Sequence, residues 1–279
     1  MPGKQQSLKK ALTNFDVCYN CWMSKIKLVL TDFDGTVAEF GKHIVSEKVR
    51  EAVIACEDQG VRMVPVTGRY YEMAQPVLEI LGFEDLGIFD NGASIMNAKT
   101  GELVWSKWLE PATLQQVSAI LAPAARIIDY TPDHAEHEPA DNELERIALI
   151  NEPTSHVYAL VEVSKLESIS AQLANIPDIT FYTAPSTRGY EPEYIGMQLN
   201  HINADKFHGV NALRRLIGVP KDQTLAIGDG DNDLSLFKNA DLKVAMGNAT
   251  AVLKAAADYV VGTVAEDGFA EAMNRFVLD

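Results

Sequence analysis

Cysteine, basic residues and long apolar runs are all scarce in this chain of 279 residues. Its three cysteines are too few and too unevenly spaced for a disulfide framework, which favours a reducing compartment and a cytoplasmic location. Lysine and arginine number 24 against 39 acidic residues, giving a net charge of −15. We therefore expect no general binding to nucleic acid or to anionic membrane surfaces. No apolar run reaches transmembrane length, but a small phosphorylated ligand held by a local cation is compatible with this charge.

Residues 1–24 precede the first apolar segment and are expected to form an N-terminal extension. Cys18 and Cys21 in this extension form a C-x-x-C pair. A structural zinc site needs a second pair of ligands, and a redox pair normally sits at a strand-to-helix turn, so we give both functions little weight here.

From Ile26 to about residue 92, short apolar runs alternate with amphipathic stretches. This alternation is typical of βαβ units and predicts a parallel sheet. Ser46 is a suitable N-cap for the first helix, and Gly60 and Gly82 end the first and second helices. The predicted elements are strands over 26–31, 61–67 and 86–90, with helices over 47–59 and 71–81.

The pattern changes near residue 93, where two apolar segments flank a turn-rich stretch and predict a β-hairpin. A mixture of helices and antiparallel strands follows, and Ser164 with Glu167 is placed as a capping box for one helix. At Lys206 the α/β pattern returns. We therefore expect an α/β fold in which an inserted α+β domain, residues 93–203, interrupts a core formed by residues 25–92 and 204–279.

Two carboxylates follow the first predicted strand, in the segment Thr31-Asp-Phe-Asp-Gly-Thr36. Side chains i and i+2 of an extended segment point the same way, so Asp32 and Asp34 are expected on one side of the strand tip. Holding two carboxylates there is costly without a cation or a shared proton. A solvated turn would explain an Asp-Gly pair, but not its place after a buried strand, where open α/β sheets bind ligands.

A second acidic segment, Gly228-Asp-Gly-Asp-Asn-Asp233, also follows a predicted apolar strand. It begins a helix, which Asp231 or Asn232 could simply cap, and it brings carboxylates close to backbone N–H groups. An EF-hand loop is excluded because the bidentate glutamate is missing and a strand precedes the segment. If both acidic segments face one crevice, a hard divalent cation such as Mg²⁺ would neutralise them.

Two further groups complement the carboxylates. Thr67-Gly68-Arg69 ends the second predicted strand and offers a hydroxyl and N–H donors suited to phosphate oxygens. Lys206 offers a point positive charge. Each is weak alone, because a Thr-Gly pair is usually only a turn and a lone lysine is usually on the surface. Together with the aspartates they predict a metal-binding and phosphate-binding site at the strand ends.

These segments resemble motifs one to four of the haloacid dehalogenase-like (HAD) hydrolase superfamily. The matching residues are Asp32-Phe-Asp-Gly-Thr36, Thr67-Gly68-Arg69, Lys206 and Gly228–Asp233, although Phe207 and His208 separate Lys206 from the glycine that usually follows it. Asp90-Asn-Gly-Ala93 and Val244–Ala249 are similar to the Cof-like, type IIB branch. The resemblance extends from Ile26 to Phe276, and it implies a Rossmann-like core with an inserted cap domain of the C2 type.

The resemblance implies a role for each matched residue. Asp32 would be the nucleophile that becomes an aspartyl phosphate, and Asp34 the general acid and base. Mg²⁺ would be held by Asp32, the backbone carbonyl of Asp34 and Asp229, with Asp233 behind them. The phosphoryl oxygens would be bound by Thr67, Gly68, Lys206 and Asn232. The second aspartate also matters for the reaction type, since phosphatases and phosphomutases of the superfamily keep it.

The implied function is a Mg²⁺-dependent phosphatase acting on a small phosphorylated metabolite, a sugar phosphate foremost. A sugar phosphomutase shares every motif and stays an alternative. A noncatalytic phosphoacceptor such as a response-regulator receiver fits less well, because a receiver is an uninterrupted domain of about half this length. No residue pattern of the insert points to one particular leaving group. Five polar residues of the insert could contact a substrate, but solvent-facing cap loops are the favoured interpretation for them: His134, His137, Tyr182, Arg188 and Glu191.

Overall fold

The structure, a computed structural model, describes residues 26–129, 152–184 and 192–278. These residues form a five-stranded parallel sheet, a three-stranded antiparallel sheet and a four-stranded antiparallel sheet, with helices packed against them. The predicted α/β class is therefore confirmed. Within the described ranges, no helix has the length and apolar character needed to cross a membrane. Several predictions concern residues outside these ranges: Cys18, Cys21, His134, His137, Arg188 and Glu191.

The elements are numbered along the chain, and the bounds of each strand and helix are as follows. They are β1 (Leu28–Thr31), α1 (Glu47–Asp58), β2 (Arg62–Pro65), α2 (Tyr71–Leu81), β3 (Leu86–Phe89), β4 (Ser94–Asn97), β5 (Leu103–Ser106), α3 (Pro111–Leu121), β6 (Ala125–Asp129), β7 (His156–Glu162), α4 (Leu166–Leu173), β8 (Ile179–Ala184), β9 (Tyr194–His201), α5 (Lys206–Ile217), β10 (Thr224–Gly228), α6 (Asp233–Phe237), β11 (Leu242–Ala245), α7 (Ala251–Ala256), β12 (Tyr259–Val260) and α8 (Gly268–Met273).

The parallel sheet has the strand order β12-β11-β10-β1-β2. Every residue of β1 is buried, which is the pattern of a central strand covered on both faces. A parallel bridge between Val66 and Ile88 places β3 beside β2. Because these strands are parallel, the carboxyl ends of β1, β2 and β10 meet at one edge of the sheet. The residues that follow these three strands are therefore neighbours in space.

The helix ends follow the local sequence at most positions. The Ser46 hydroxyl accepts a hydrogen bond from the Val49 amide at the start of α1. Gly82 adopts a left-handed conformation and ends α2 at Leu81, where the sequence predicts it. The capping box at Ser164 and Glu167 is wrong. A 3₁₀ turn precedes α4, and the Ser164 hydroxyl donates to the Glu162 carboxylate instead of capping the helix.

The predicted hairpin forms, and it packs with the core. β4 pairs with β3 and β5 in antiparallel fashion, and Ile95 and Ala98 are buried in the same apolar cluster as the parallel sheet. A second apolar cluster begins at Leu109. The division at residue 93 stays a prediction, and from this packing we propose that the inserted domain begins later, near Leu109.

The inserted region presents two different faces of its sheet, which has the order β6-β7-β9-β8. One face packs against α3 and α4 through side chains such as Leu114, Ile169 and Leu199. The register of the antiparallel strands places polar side chains on the other face, since His156 and Thr180 both lie opposite Asn200 and Tyr182 lies opposite Gln198. This polar face is called the polar cap face below.

Candidate active site

Asp32 and Asp34 lie immediately beyond the carboxyl end of β1. The Asp32 amide donates to the Ile227 carbonyl, which holds this segment against β10. Phe33 is fully buried in the core between the two aspartates. The alternation of an extended segment therefore directs Phe33 inward and leaves both carboxylates at the sheet edge.

Lys206 lies between two carboxylates of the site. It begins α5, and its Nζ lies 2.6 Å from Asp32 Oδ1 and 2.7 Å from Asp233 Oδ1. Burial alone would lower the pKa of Lys206, but the two aspartates outweigh burial and raise it, so the amine stays charged. Burial raises the pKa of Asp32 to about 7, and repulsion from Asp233 and Asp229 adds to this effect. Lys206 acts in the opposite direction but does not outweigh them.

The segment after β10 is folded around Asp233. Asp233 Oδ2 accepts hydrogen bonds from the amides of Asp229 and Gly230, each 3.0 Å long. A Cβ at Gly228 would lie 2.3 Å from that oxygen, so glycine is needed for this approach. Asn232 immediately precedes α6 and makes no side-chain cap bond to it. Its side chain lines the cavity that is described below.

Asn248 is a residue of the site that sequence reasoning missed. Its Nδ2 donates to the Gly35 carbonyl at 2.8 Å and to Asp229 Oδ2 at 3.1 Å, and its Oδ1 accepts the Val264 amide at 2.8 Å. One amide side chain thus holds both acidic segments in place. The only sequence signal is its position in the Val244–Ala249 segment.

Arg69, to which the sequence assigns no role of its own, pairs with Asp34. Its Nε donates to Asp34 Oδ2 at 2.9 Å and its Nη2 to Asp34 Oδ1 at 2.6 Å. Burial alone would raise the pKa of Asp34, but hydrogen bonds from Arg69 and the Gly41 amide outweigh burial and lower it. In this state Asp34 is ionised, the form that a general base needs.

Thr67 and Gly68 lie beyond β2, next to the turn that follows β3. The Thr67 hydroxyl accepts the Arg69 amide at 3.1 Å, and the Thr67 carbonyl accepts the Asn91 amide at 3.0 Å. A Cβ at Gly68 would lie 3.0 Å from Asn91 Oδ1. The segment is therefore held close to the Asp90–Gly92 turn.

A cavity of about 680 Å³ lies between the core and the polar cap face. From the core it is lined by Asn91, Lys206 and Asn232, and from the cap by Thr180, Tyr182 and Asn200. The sequence favours a solvent-facing Tyr182, and in the structure this side chain is half exposed on the cavity wall. The volume lies within the usual range for a small-molecule site.

A family model described as haloacid dehalogenase-like hydrolase matches residues 29–273. The chain belongs to this family of hydrolases. It is 26% identical over 260 residues to the 5-amino-6-(5-phospho-D-ribitylamino)uracil phosphatase YcsE of Bacillus subtilis, covering 91% of this chain and 96% of that protein. The crystal structure of a haloacid dehalogenase-like hydrolase from Bacteroides thetaiotaomicron is similar with a TM-score of 0.71 and 28% identity, covering 90% of this chain and 99% of that one. A HAD subclass IIB sugar phosphatase shares the fold at 22% identity, with a TM-score of 0.63 over 90% of this chain and 98% of that one.

The donor set of this HAD hydrolase fits a hard divalent cation. Asp32, Asp229 and Asp233 each offer a carboxylate oxygen, and these oxygens lie within 4.8 Å of one another. Asp32 Oδ2 and Asp229 Oδ1 accept no hydrogen bond from the described residues, whereas both oxygens of Asp233 are engaged. Burial, together with repulsion from Asp233, raises the pKa of Asp229 to about 6. Oxygen ligands with excess negative charge are what Mg²⁺ and similar ions prefer.

The structure of this hydrolase brings four of the sequence-predicted residues together and places the others around them. Asp32, Lys206, Asp229 and Asp233 form one group by direct contact or proximity. Thr67 and Gly68 lie in the neighbouring loop, while Asn232 lines the cavity. Lys206 makes its two contacts although Phe207 and His208 separate it from Gly209. Asp34 faces Arg69 rather than the three clustered carboxylates.

Proposed function

We propose that this hydrolase is a Mg²⁺-dependent phosphatase of small phosphate monoesters, above all the phosphates of sugars and related polyols. The observation that carries the proposal is the Lys206 amine held between Asp32 and Asp233 beside Asp229, at the wall of a cavity of about 680 Å³. The named activities of YcsE and of the subclass IIB sugar phosphatase support the substrate class.

Asp32 is the proposed nucleophile. One of its carboxylate oxygens forms a bond to phosphorus while the bond between phosphorus and the ester oxygen breaks, which leaves an aspartyl phosphate. Water then attacks this phosphorus, the Asp32 carboxylate leaves, and inorganic phosphate is released. The ionised form is required, and the adjoining Lys206 favours it against the effect of burial.

Asp34 is the proposed proton carrier. It gives a proton to the leaving ester oxygen and later takes one from the attacking water. Arg69 holds Asp34 ionised before substrate binds. The approach of a phosphate dianion raises the pKa of a nearby carboxyl group, which allows Asp34 to take up the proton that the first step needs.

The remaining residues hold the phosphoryl group. Thr67, Gly68, Lys206 and Asn232 offer a hydroxyl, a backbone N–H, an ammonium and an amide to its oxygens. Asp32, the Asp34 carbonyl and Asp229 would hold Mg²⁺, with Asp233 fixing the segment around them. When bound, the ion supplies positive charge that offsets the negative charge of the phosphoryl oxygens.

A panel of phosphomonoesters assayed for phosphate release with Mg²⁺ tests the proposal. We expect turnover of sugar or polyol phosphates by the wild type, and a loss of at least about 10³-fold in Asp32→Asn with the fold intact by circular dichroism. Asp58→Asn is the matched control, because Asp58 is exposed at the far end of α1. Full activity of Asp32→Asn would refute the nucleophile. An isomerised sugar phosphate without free phosphate would identify a phosphomutase instead.

A further inference from the structure

Asp90 is a buried acid that the proposed chemistry does not use. It follows β3, is 7% exposed, and adopts a left-handed conformation with φ of 53°. Aspartate and asparagine tolerate this conformation better than most residues, which suits Asp90 and the next residue, Asn91. The left-handed conformation explains why aspartate or asparagine suits this position, but it does not explain why an acidic side chain is buried there.

The Asp90–Gly92 turn contacts two phosphate-binding segments. The Asp90 amide donates to the Arg69 carbonyl and the Asn91 amide to the Thr67 carbonyl, each at 3.0 Å. A Cβ at Gly92 would lie 2.8 Å from the backbone nitrogen of Lys206 and 2.0 Å from the carbonyl oxygen of Asp205. A displacement of this turn would therefore move both Thr67 and the start of α5.

The Asp90 side chain reaches across to the cap. Its Oδ2 accepts the Ser94 hydroxyl at 3.2 Å, and the Ser155 side chain lies near enough to the carboxylate to lower its pKa. His156 Nδ1 lies 3.9 Å from Asp90 Oδ1 and 3.0 Å from the Ser155 hydroxyl. Ser155 immediately precedes β7 and His156 begins it, so a core carboxylate lies at ion-pair distance from a cap strand.

The same contacts reach the polypeptide segment that leads into the cap. Trp108 Nε1 donates to the Ser94 hydroxyl at 2.7 Å. The next residue, Leu109, exchanges two backbone hydrogen bonds with Thr154, which immediately precedes Ser155. We call these five side chains the junction network: Asp90, Ser94, Trp108, Ser155 and His156.

The junction network borders the cavity on both sides. Asn200 lies opposite His156 in the sheet, donates from Nδ2 to the Ser155 carbonyl at 3.2 Å, and lines the cavity from the cap. Asn91, next to Asp90, lines it from the core. The spacing of the two cavity walls is therefore fixed where these residues meet.

We propose that Asp90 is a positioning residue whose carboxylate fastens Ser155 and His156 to the core, and so sets the distance of the polar cap face from the phosphate-binding residues. Burial of an acid is otherwise unfavourable, and burial does raise the pKa of Asp90 to about 6 although Ser94 and Ser155 oppose it. The kinetic consequences rest on the proposed function, but the attachment itself does not.

Two variants test the attachment from its two ends. Asp90→Asn keeps the left-handed backbone preference and the side-chain shape but removes the charge, and Ser155→Ala removes the cap donor without touching the turn. Ser164→Ala is the control, since Ser164 is exposed in the cap and its hydroxyl donates to the nearby Glu162 carboxylate rather than to the core. Hydrogen exchange of segments 107–109 and 154–156 is the first measurement, and it needs no activity.

We expect faster hydrogen exchange in both segments for Asp90→Asn and for Ser155→Ala. In the double variant, exchange should be accelerated no more than in the single variant with the larger effect. With a sugar phosphate, KM should rise about tenfold in each, while kcat for acetyl phosphate, whose leaving group is too small to reach the cap, should change less than about twofold. Unchanged exchange, or additive effects in the double variant, would overturn the proposal. Altered exchange without phosphate release from any substrate would count against the proposed function alone.

Discussion

At Gly35 the backbone follows Asp34 into a turn with φ of 77°, and a Cβ there would lie 2.1 Å from Asp229 Oδ2. Two independent requirements therefore coincide at one residue. A left-handed conformation costs most residues about 1 kcal/mol, and the close approach to Asp229 leaves no room for any side chain. The second requirement links Gly35 to the geometry of the proposed metal site.

We expect Gly35→Ala to lower kcat/KM at least about 100-fold, because Asp229 must move away from the new methyl group. Gly60→Ala is a closely matched control, since Gly60 has φ of 79° and a Cβ added there would meet no atom within 4 Å. It should lose only about 1 kcal/mol of unfolding free energy and keep its activity. Equal activity losses in the two variants would mean that backbone strain, rather than contact with Asp229, explains the effect.

Individual site residues were predictable where they follow a buried strand. The acidic segments after β1 and β10 converge because the parallel register aligns those strand ends, Thr31 lying beside Ile227. Asn248 and Asp90 were not predictable in the same way. Their contacts with Asp229 and Ser155 join segments far apart in the chain, and neither pattern nor spacing encodes such a pairing.

At the scale of elements, α1 ends unfavourably. Its last turn has no basic residue, and burial raises the pKa of Glu57 to about 7, with repulsion from Glu84, Asp85 and Asp58 adding to the effect. Carboxylates near a helix C-terminus also oppose the helix dipole. The folded state therefore holds a proton that the unfolded state, with an ordinary value of 4.5, releases.

This difference predicts that stability falls as pH rises from about 4.5 to about 7, because the folded chain binds more protons in that window. Glu57→Gln should stabilise the protein by about 1 kcal/mol at pH 8 and by little at pH 4.5, the modest value reflecting contact of the side chain with water. Thermal unfolding at both pH values measures this. Glu51→Gln, at an exposed position of the same helix, is the control.

The bounds of elements followed from the sequence where a single residue ends them. α2 stops at Leu81 because Gly82 takes a left-handed conformation. The Ser164 prediction failed because the same residues also permit a 3₁₀ turn, and Lys165 then occupies the N-cap position. A capping pattern predicts a helix start only when the preceding chain approaches in an extended conformation.

At the scale of the whole molecule, part of the excess negative charge lies in one cluster at the edge of the parallel sheet. One lysine faces three clustered carboxylates, and both Asp32 and Asp229 have raised pKa values. The fold tolerates this repulsion at a cost in stability. A cation that binds only the folded state would recover that cost.

We expect Mg²⁺ to raise the melting temperature of the wild type by several degrees, corresponding to about 2.7 kcal/mol at 100 times the Kd, and EDTA to reverse the shift. Asp229→Asn should melt higher than the wild type without Mg²⁺, because it removes one repelling charge, and should show little further rise when Mg²⁺ is added. A full Mg²⁺ shift in Asp229→Asn would exclude Asp229 as a ligand.

The overall architecture was predictable because a parallel sheet and an antiparallel insertion have different hydrophobic patterns. The point of insertion is harder to predict, since a hairpin such as β4–β5 has the same local pattern whether it packs on the core or belongs to the insertion. The pairing of β4 with β3 and the burial of Ile95 and Ala98 with the parallel sheet distinguish the two.

The strand order has a consequence for synthesis of the chain. β1 lies between β2 and β10, and Thr31 pairs with Ile227 after the whole inserted region has been made. At roughly 5–20 residues per second, the ribosome takes about 10–40 s between these two residues. During that interval one edge of an apolar strand lacks its partner, so the strand that directly precedes Asp32 is open to incorrect pairing until β10 has been made.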